Sequence, residues 1–197
     1  RLTKENDLIS VLCEIENETK QNFVIKGKVI INATGVFSDR IIQMDKPEAK
    51  PLIRPSQGVH LVLEKEFLEG PHAIMIPHTT DGRVLFAVPW HNHVVLGTTD
   101  TPIDETLDEP RPKDEEIDFI LANAGQYMTK KPKRKDVKSV FAGLRPLAAN
   151  QGSGSETKEI SRHHKVNVST SGLISLLGGK WTTYRKMAED AINTASM

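Results

Sequence analysis

The stretch from Gly58 to Thr98 constrains the fold more than any other part of this chain. Four short apolar segments, His60–Leu63, Ala73–Pro77, Arg83–Val88 and His93–Thr98, follow one another with turn residues between them, and short runs of this kind read as β-strands. Strands joined in succession make an antiparallel meander. Asp81-Gly82 lies between the second and third segments. A pair of that type takes two positive φ angles, so a tight hairpin is expected there.

Before the meander, Asp7–Ile15, Phe23–Lys26 and Lys28–Asn32 are rich in Val and Ile and read as short strands, with a polar turn at Asn17–Gln21. The last meets Asn32-Ala33-Thr34-Gly35, a buried strand running into a tight turn. Phe37–Met44 then reads as a short helix, with Ser38 capping its first turn and Ile41 and Ile42 facing inward. Pro47, Pro51 and Pro55 break the following stretch and mark a connection. After the meander, the acidic, proline-containing segment Asp100–Pro112 reads as a loop. Asp114–Met128 carries Ile117, Ile120, Leu121 and Ala124 at helical spacing, with acidic residues in its first turn. The basic run Lys130–Lys135 reads as a solvated turn. Val137–Phe141 and Val166–Ser169 read as strands flanking a Gly/Ser loop at Gln151–Glu156, expected to move freely. The chain closes on the strand Leu173–Leu177, the pair Gly178-Gly179, and a helix whose apolar face is Tyr184, Met187, Ala188, Ala191, Ile192 and Ala195.

Composition removes several classes of function. The 197 residues carry 26 basic and 26 acidic side chains, so no basic footprint for nucleic acid exists. The single cysteine, Cys13, excludes an internal disulfide and a thiolate metal cluster, and fits a reducing compartment. No apolar run reaches the roughly 18 residues that cross a bilayer. Arg1 stands where a Met would open a complete chain, and a strand pattern begins without a leader, so a piece of a larger protein is expected. No GxGxxG, P-loop, GxSxG or HExxH occurs, and a self-contained nucleotide site is unsupported.

Several residues could carry chemistry. In Gly178-Gly179-Lys180-Trp181-Thr182-Thr183 the glycines let a ligand approach the backbone, and the free N–H groups of the following helix start favour an anion or an electron-rich ring. The alternative is a plain tight strand-to-helix connection. Arg145 stands between glycine and proline at the end of an apolar strand, and Arg162 precedes His163-His164. Two arginines converging on a phosphate or carboxylate would each contribute about 1.5–3 kcal/mol, and a surface ion pair is the alternative for each. His60 alternates with apolar residues after Gly58 and points to one sheet face, either as a core histidine or as a site residue. His91-Asn92-His93 offers two histidines on one side of a strand without a third ligand, and Asp104, Glu105, Asp108 and Glu109 lack calcium-loop spacing. No metal is expected. Thr98-Thr99-Asp100-Thr101 reads as a turn satisfied by its own side chains.

The ordered series NATG at 32–35, SQGVHLVL at 56–63, IPHTTDGRVLFAVPW at 76–90, LGTTDT at 96–101, GLRPL at 143–147, ISRHH at 160–164 and GGKWTTYR at 178–185 resembles the FAD-dependent glycerol-3-phosphate dehydrogenases over nearly the whole chain. The resemblance implies an α+β fold of the glycine oxidase and D-amino-acid oxidase superfamily. Residues 1–50 would be part of a FAD-binding domain, 51–142 an antiparallel substrate-binding sheet with a helix, and 143–197 a return to the FAD-binding domain. It implies oxidation of sn-glycerol 3-phosphate to dihydroxyacetone phosphate, with electrons passing from FAD to a quinone. Glycerophosphate oxidases, which use oxygen, share the motifs, and a non-catalytic binding module is a further alternative. By resemblance, Arg145 and Arg162 clamp the phosphate. His60 contacts the substrate hydroxyl and is the candidate base, with Arg145 and Lys180 as competitors for that role. Ala33, Thr34, Gly35, Gly179, Lys180, Trp181 and Thr182 approach the flavin. The GxGxxG half and a helical C-terminal domain of the family are missing from this sequence, so residues 1–197 alone are expected neither to hold FAD nor to turn over. The location implied is cytoplasmic, peripheral on the inner face of the cytoplasmic membrane.

Overall fold

Alternation of apolar and polar residues turns Ile53–Glu64 into a strand with two unlike faces, and the rest of its unit is arranged around it. In a computed structural model, which describes residues 2–5, 8–15, 21–149 and 163–197, the chain divides into two units, residues 55–145 and residues 1–54 with 146–197.

The first of these contains a six-stranded sheet formed with β5 (Ile53–Glu64), β6 (Ile74–Ile76), β7 (Leu85–Trp90), β8 (His93–Gly97), β9 (Thr101–Pro102) and β10 (Val137–Ala148), in the order β10-β5-β8-β7-β6 with β9 beside β5. Pairing is antiparallel throughout β5-β8-β7-β6, with His60 opposite Gly97 and Phe86 opposite Gly97 on the other side. Val59, Leu61 and Leu63 of β5 are fully buried with Ile76, Leu85, Ala87, Val94 and Leu96. Against them pack Ile120, Leu121 and Ala124 of helix α2 (Asp114–Ala124). Each such side chain removed from water contributes about 1.5–3 kcal/mol, so this face is the unit's main source of stability. By the two-residue period of a strand, Gly58, His60 and Val62 belong to the opposite face.

The second unit has two small sheets. One joins β1 (Leu2–Glu5), β2 (Leu8–Glu14) and β3 (Asn22–Gly27) in antiparallel order. The other has the order β11-β12-β4, from β11 (His164–Val168), β12 (Ile174–Gly178) and β4 (Ile31–Asn32), with β12 parallel to β4. Helix α1 (Ser38–Asp45) follows β4 through a one-turn 3-10 segment at Gly35–Phe37, and helix α3 (Tyr184–Ala195) follows β12 through Trp181–Thr183. Ile42, Ile53, Ala148, Leu173 and Leu177 form the core.

Several expectations are corrected. Ser38 does not cap α1: the 3-10 turn precedes it, so its side chain is fully buried within the first turn. Asp39 is the polar anchor there, accepting from the amides of Leu52 and Ile53 at 2.8 and 3.0 Å. Asp81-Gly82 is not a two-residue hairpin, because only Gly82 has positive φ and the strands it joins end at Ile76 and resume at Leu85. Asp81 instead accepts from Thr79 Oγ1 and the Arg83 amide and closes a wider turn. The tight hairpin is His91-Asn92, with φ of 43° and 64° between the paired Trp90 and His93. His91 therefore lies in a turn and not on a strand beside His93. Pro55 does not interrupt the strand: it lies inside β5, where its carbonyl accepts from the Ile103 amide at 3.2 Å, although the boundary between the two units does fall at this residue. Finally, α2 stops at Ala124 and β10 continues through Pro146, twelve residues in all. The basic turn has a specific task, with Arg134 bonding Asp114 and Asp118 of α2 at 2.6 and 2.7 Å. The Gln151–Glu156 loop lies outside the described residues.

Candidate functional site

On the face of the large sheet away from α2, two glycines create room for two functional side chains. Gly58 underlies Arg145 so closely that a Cβ there would stand 2.3 Å from Nη2 and 2.7 Å from Cζ. Gly97 underlies His60 in the same way, at 2.7 Å from the ring Cδ2. A glycine inside a strand often marks such a close approach. Arg145 donates from Nη2 to Thr98 Oγ1 at 3.0 Å and lies 3.7 Å through Nη1 from Asp100 Oδ1. Asp100, 7% exposed, also accepts from Ser56 Oγ. The guanidinium is thus held at its rim by the strand ends while a quarter of the side chain stays accessible.

His60 stacks on Phe141 of β10, ring centroids 5.1 Å apart and planes 13° from parallel. Burial and then the Arg145 charge hold its pKa below the ordinary 6.5, so the imidazole is neutral at pH 7. A neutral histidine beside a fixed cation can accept a proton while the cation holds an anion. Of the two readings of His60, the structure gives the half-buried open-face position and not the core.

Beneath this face lies a second polar group. Glu116, at the third position of α2 and 5% exposed, accepts from Thr99 Oγ1 (2.9 Å) and Thr101 Oγ1 (2.6 Å) on one oxygen. Its other oxygen accepts from Gln57 Nε2 (2.6 Å) and the Lys113 amide (3.0 Å). Thr99 Oγ1 in turn accepts from the Val59 amide at 3.0 Å. Burial opposes the charge, but the bonds from Thr101, the Lys113 amide, Thr99 and Gln57 prevail and hold the carboxyl below its ordinary value.

The other unit carries the second set of residues. Parallel β4 and β12 pair Ile31 with Ile174 and Asn32 with Ser175, and both run at their C-terminal ends into turns that open helices, the place where α/β folds receive ligands. Asn32, 2% exposed, donates to Ser175 Oγ and the Ser38 carbonyl and accepts from Thr34 Oγ1 at 2.7 Å, which sets the path of Ala33-Thr34-Gly35. At the second turn Gly178 and Gly179 both have positive φ. A Cβ on Gly178 would meet the His163 carbonyl at 2.8 Å, and one on Gly179 the Met187 sulfur at 2.5 Å. The Lys180 amide donates to Thr183 Oγ1, and the Trp181 side chain is 88% exposed. His164 pins β11 to α3 through Asp190 at 2.8 Å.

Of the residues singled out from sequence, the structure brings His60 and Arg145 together on one unit, and Ala33, Thr34, Gly35, Gly179, Lys180, Trp181 and Thr182 on the ends of neighbouring strands of the other. Arg162 lies outside the described residues. Thr98 and Asp100, expected to satisfy only their own turn, face Arg145 instead. Sequence reasoning missed Gly58, Gly97 and Glu116. The two glycines had a signal, an interior strand position on the face of His60 and opposite it. Glu116 read only as one of three acids favourable at a helix start. Among the described residues no group of three potential metal ligands occurs.

At Gly35 a Cβ would meet no protein atom within 4 Å, so the backbone of this turn faces open space. The profile of the family described as FAD dependent oxidoreductase matches residues 3–185. Mitochondrial glycerol-3-phosphate dehydrogenase of Homo sapiens is 44% identical over 179 residues, covering 90% of this chain and 24% of that protein. This chain therefore spans about a quarter of the length of that relative. The glycerol-3-phosphate dehydrogenase of Bacillus halodurans, solved in complex with FAD, superposes with a TM-score of 0.81 at 32% identity, over 99% of this chain and 37% of that one. The amino acid oxidase NikD has a TM-score of 0.68 at 11% identity and shares the fold.

Proposed function

The chain belongs to the FAD dependent oxidoreductase family, and from that premise we propose that the whole protein oxidises sn-glycerol 3-phosphate to dihydroxyacetone phosphate. The observation that carries this reading is the seat of Arg145 on Gly58, beside a neutral histidine. That pairing suits a substrate with an anion at one end and an alcohol to be oxidised near it, and the relatives named glycerol-3-phosphate dehydrogenases supply the substrate class.

Arg145, with Arg162, binds the phosphate, and its planar fork fixes the orientation of the molecule. Such positioning lowers the barrier by removing rotational freedom before reaction. His60 Nδ1 or Nε2 takes the proton of the C2 hydroxyl, and the depressed pKa leaves a ring nitrogen free to do so. When bound, FAD would supply the acceptor for the hydride, hydrogen and electron pair together, that leaves C2. Ala33, Thr34 and Gly35 hold it through the backbone. Gly179, Lys180 and the amides of Trp181 and Thr182 would hold it from the second turn and supply positive potential there, and one such donor is typically worth about 2.7–4 kcal/mol. Without a GxGxxG turn in residues 1–197, the cofactor's pyrophosphate is held from outside them, and these residues alone do not turn over.

The electron acceptor in this reading is a quinone, as the resemblance of the motifs implies. A lipid-dissolved acceptor places the working protein at a membrane face, and among the described residues no helix is long and apolar enough to cross one. The test is an anaerobic absorbance spectrum of the flavin in the whole protein before and after sn-glycerol 3-phosphate. Bleaching that is weakened in Arg145→Ala supports the reading, and a flavin untouched by this substrate overturns it. Hydrogen peroxide formed in step with turnover in air would replace the quinone by oxygen.

A further inference from the structure

We infer that Glu116, buried on the α2 side of the sheet, is the positioning residue that sets the Arg145 guanidinium in its place on the opposite face. The inference rests on the proposed role of Arg145 and adds to it the element that makes the arginine a fixed fork.

Contacts alternate along two adjoining segments. In the segment 98–101, Thr99 and Thr101 hydroxyls donate to Glu116 Oε1, while Thr98 and Asp100 hold Arg145. In β5, Gln57 donates to Glu116 and the Val59 amide bonds Thr99, while Ser56 bonds Asp100 and Gly58 carries the guanidinium. Gln57, Thr99 and Thr101 are thus tied directly to one carboxylate and Val59 to it through Thr99, and the residues between them form the arginine's seat. Four donors converge on two oxygens, which a carboxylate satisfies with acceptors alone. The Lys113 amide, the fourth donor, belongs to the helix start and so anchors the whole arrangement to α2. A glutamine at 116 offers one accepting oxygen and turns two hydrogens toward Gln57 and the Lys113 amide, themselves donors, so segment 98–101 loses its register against β5.

Glu116, buried on the α2 side of the sheet, does not touch the substrate. Glu116→Gln is therefore expected to raise the KM for sn-glycerol 3-phosphate about tenfold, the loss of loosening a charge-assisted contact without deleting it, with kcat changed much less. The distinguishing measurement is a double-mutant cycle in the whole protein with Arg145→Ala. If Glu116 acts through the arginine, Glu116→Gln adds nothing to the KM of Arg145→Ala. Two effects that multiply show a merely structural role and overturn the inference, as does an unchanged KM in Glu116→Gln alone. Thr101→Val removes a single donor to the same oxygen, and if Glu116→Gln does not fold it is read in the same cycle. An Arg145→Ala variant with unchanged KM would instead sink the proposed role of the arginine, a result distinct from either.

Discussion

The guanidinium of Arg145 rests on the Cα of Gly58, at a distance that leaves no volume for even a methyl group between them. Arginine and glycine are 87 positions apart in the chain, yet each explains the other: the strand accepts a glycine because a cation lies across it.

Gly58→Ala puts this to use. Gly58 has no positive φ, so alanine is conformationally acceptable there, and the atoms it meets are the far end of a flexible side chain that can swing away. Stability should change by less than about 1 kcal/mol, the scale of replacing glycine by alanine at a conformation alanine can adopt. Affinity for sn-glycerol 3-phosphate should fall by roughly 10- to 100-fold, the worth of a displaced charge-assisted contact. Gly97→Ala is the contrast, because its Cβ would stand 2.8 Å from the Val59 carbonyl, which is backbone and cannot move aside. That variant should lose about 1–3 kcal/mol. Thermal melting of both variants, with substrate titration monitored through the flavin, checks the pair. An alanine at 58 that leaves substrate affinity intact would remove the functional reason for this glycine.

His60 provides a pH test. Its pKa lies below 6.5 through burial first and the Arg145 charge second, so Arg145→Met should raise it without restoring the ordinary value. The sign for stability follows from proton binding. Between the folded value and 6.5 the unfolded chain binds a proton that the folded one refuses, so stability declines as pH falls through that window. Arg145→Met should narrow the window from its acidic side. An NMR titration of the His60 ring in wild type and variant reads the shift directly, and an unmoved midpoint would mean that the arginine charge does not reach the imidazole.

Much of this was legible in the residues themselves. The meander, the two longer helices and the terminal strand-glycine-helix order follow from periodicity, because one face of each element must be apolar to pack. Arg145 stood out since a surface arginine has no need of flanking Gly and Pro. The turns were harder. Asp81-Gly82 carries the stronger hairpin composition, but the pairing of Ile76 with Leu85 leaves it in a wider loop, while the unpromising His91-Asn92 is forced into positive φ by Trp90 pairing with His93. Glu116 was invisible for a related reason. Its partners Gln57 and Thr99 are 59 and 17 positions away, and nothing local separates a buried helix-start carboxylate from the solvated Asp114 two residues before it.

The flavin side is tested through Gly35 and Gly178. Both have positive φ, 61° and 72°, and an L side chain in that region costs about 1–2 kcal/mol. At Gly178 the Cβ would also meet the His163 carbonyl at 2.8 Å and Ala148 Cβ at 3.3 Å, so Gly178→Ala should lower the melting temperature and flavin content together. Gly35→Ala differs because its Cβ would meet no protein atom within 4 Å. Backbone strain alone would then give a small loss of stability, and any cofactor lying against this turn would be pushed off by the methyl. The expected result is a flavin-to-protein absorbance ratio that falls well beyond what the modest drop in melting temperature accounts for. Gly143→Ala, with no positive φ and open space at its Cβ, serves as the control and should leave both readings at wild-type level. If Gly35→Ala keeps its full flavin complement, the backbone of Ala33-Thr34-Gly35 does not approach the cofactor, and the holding role passes to the Gly179–Thr182 turn alone.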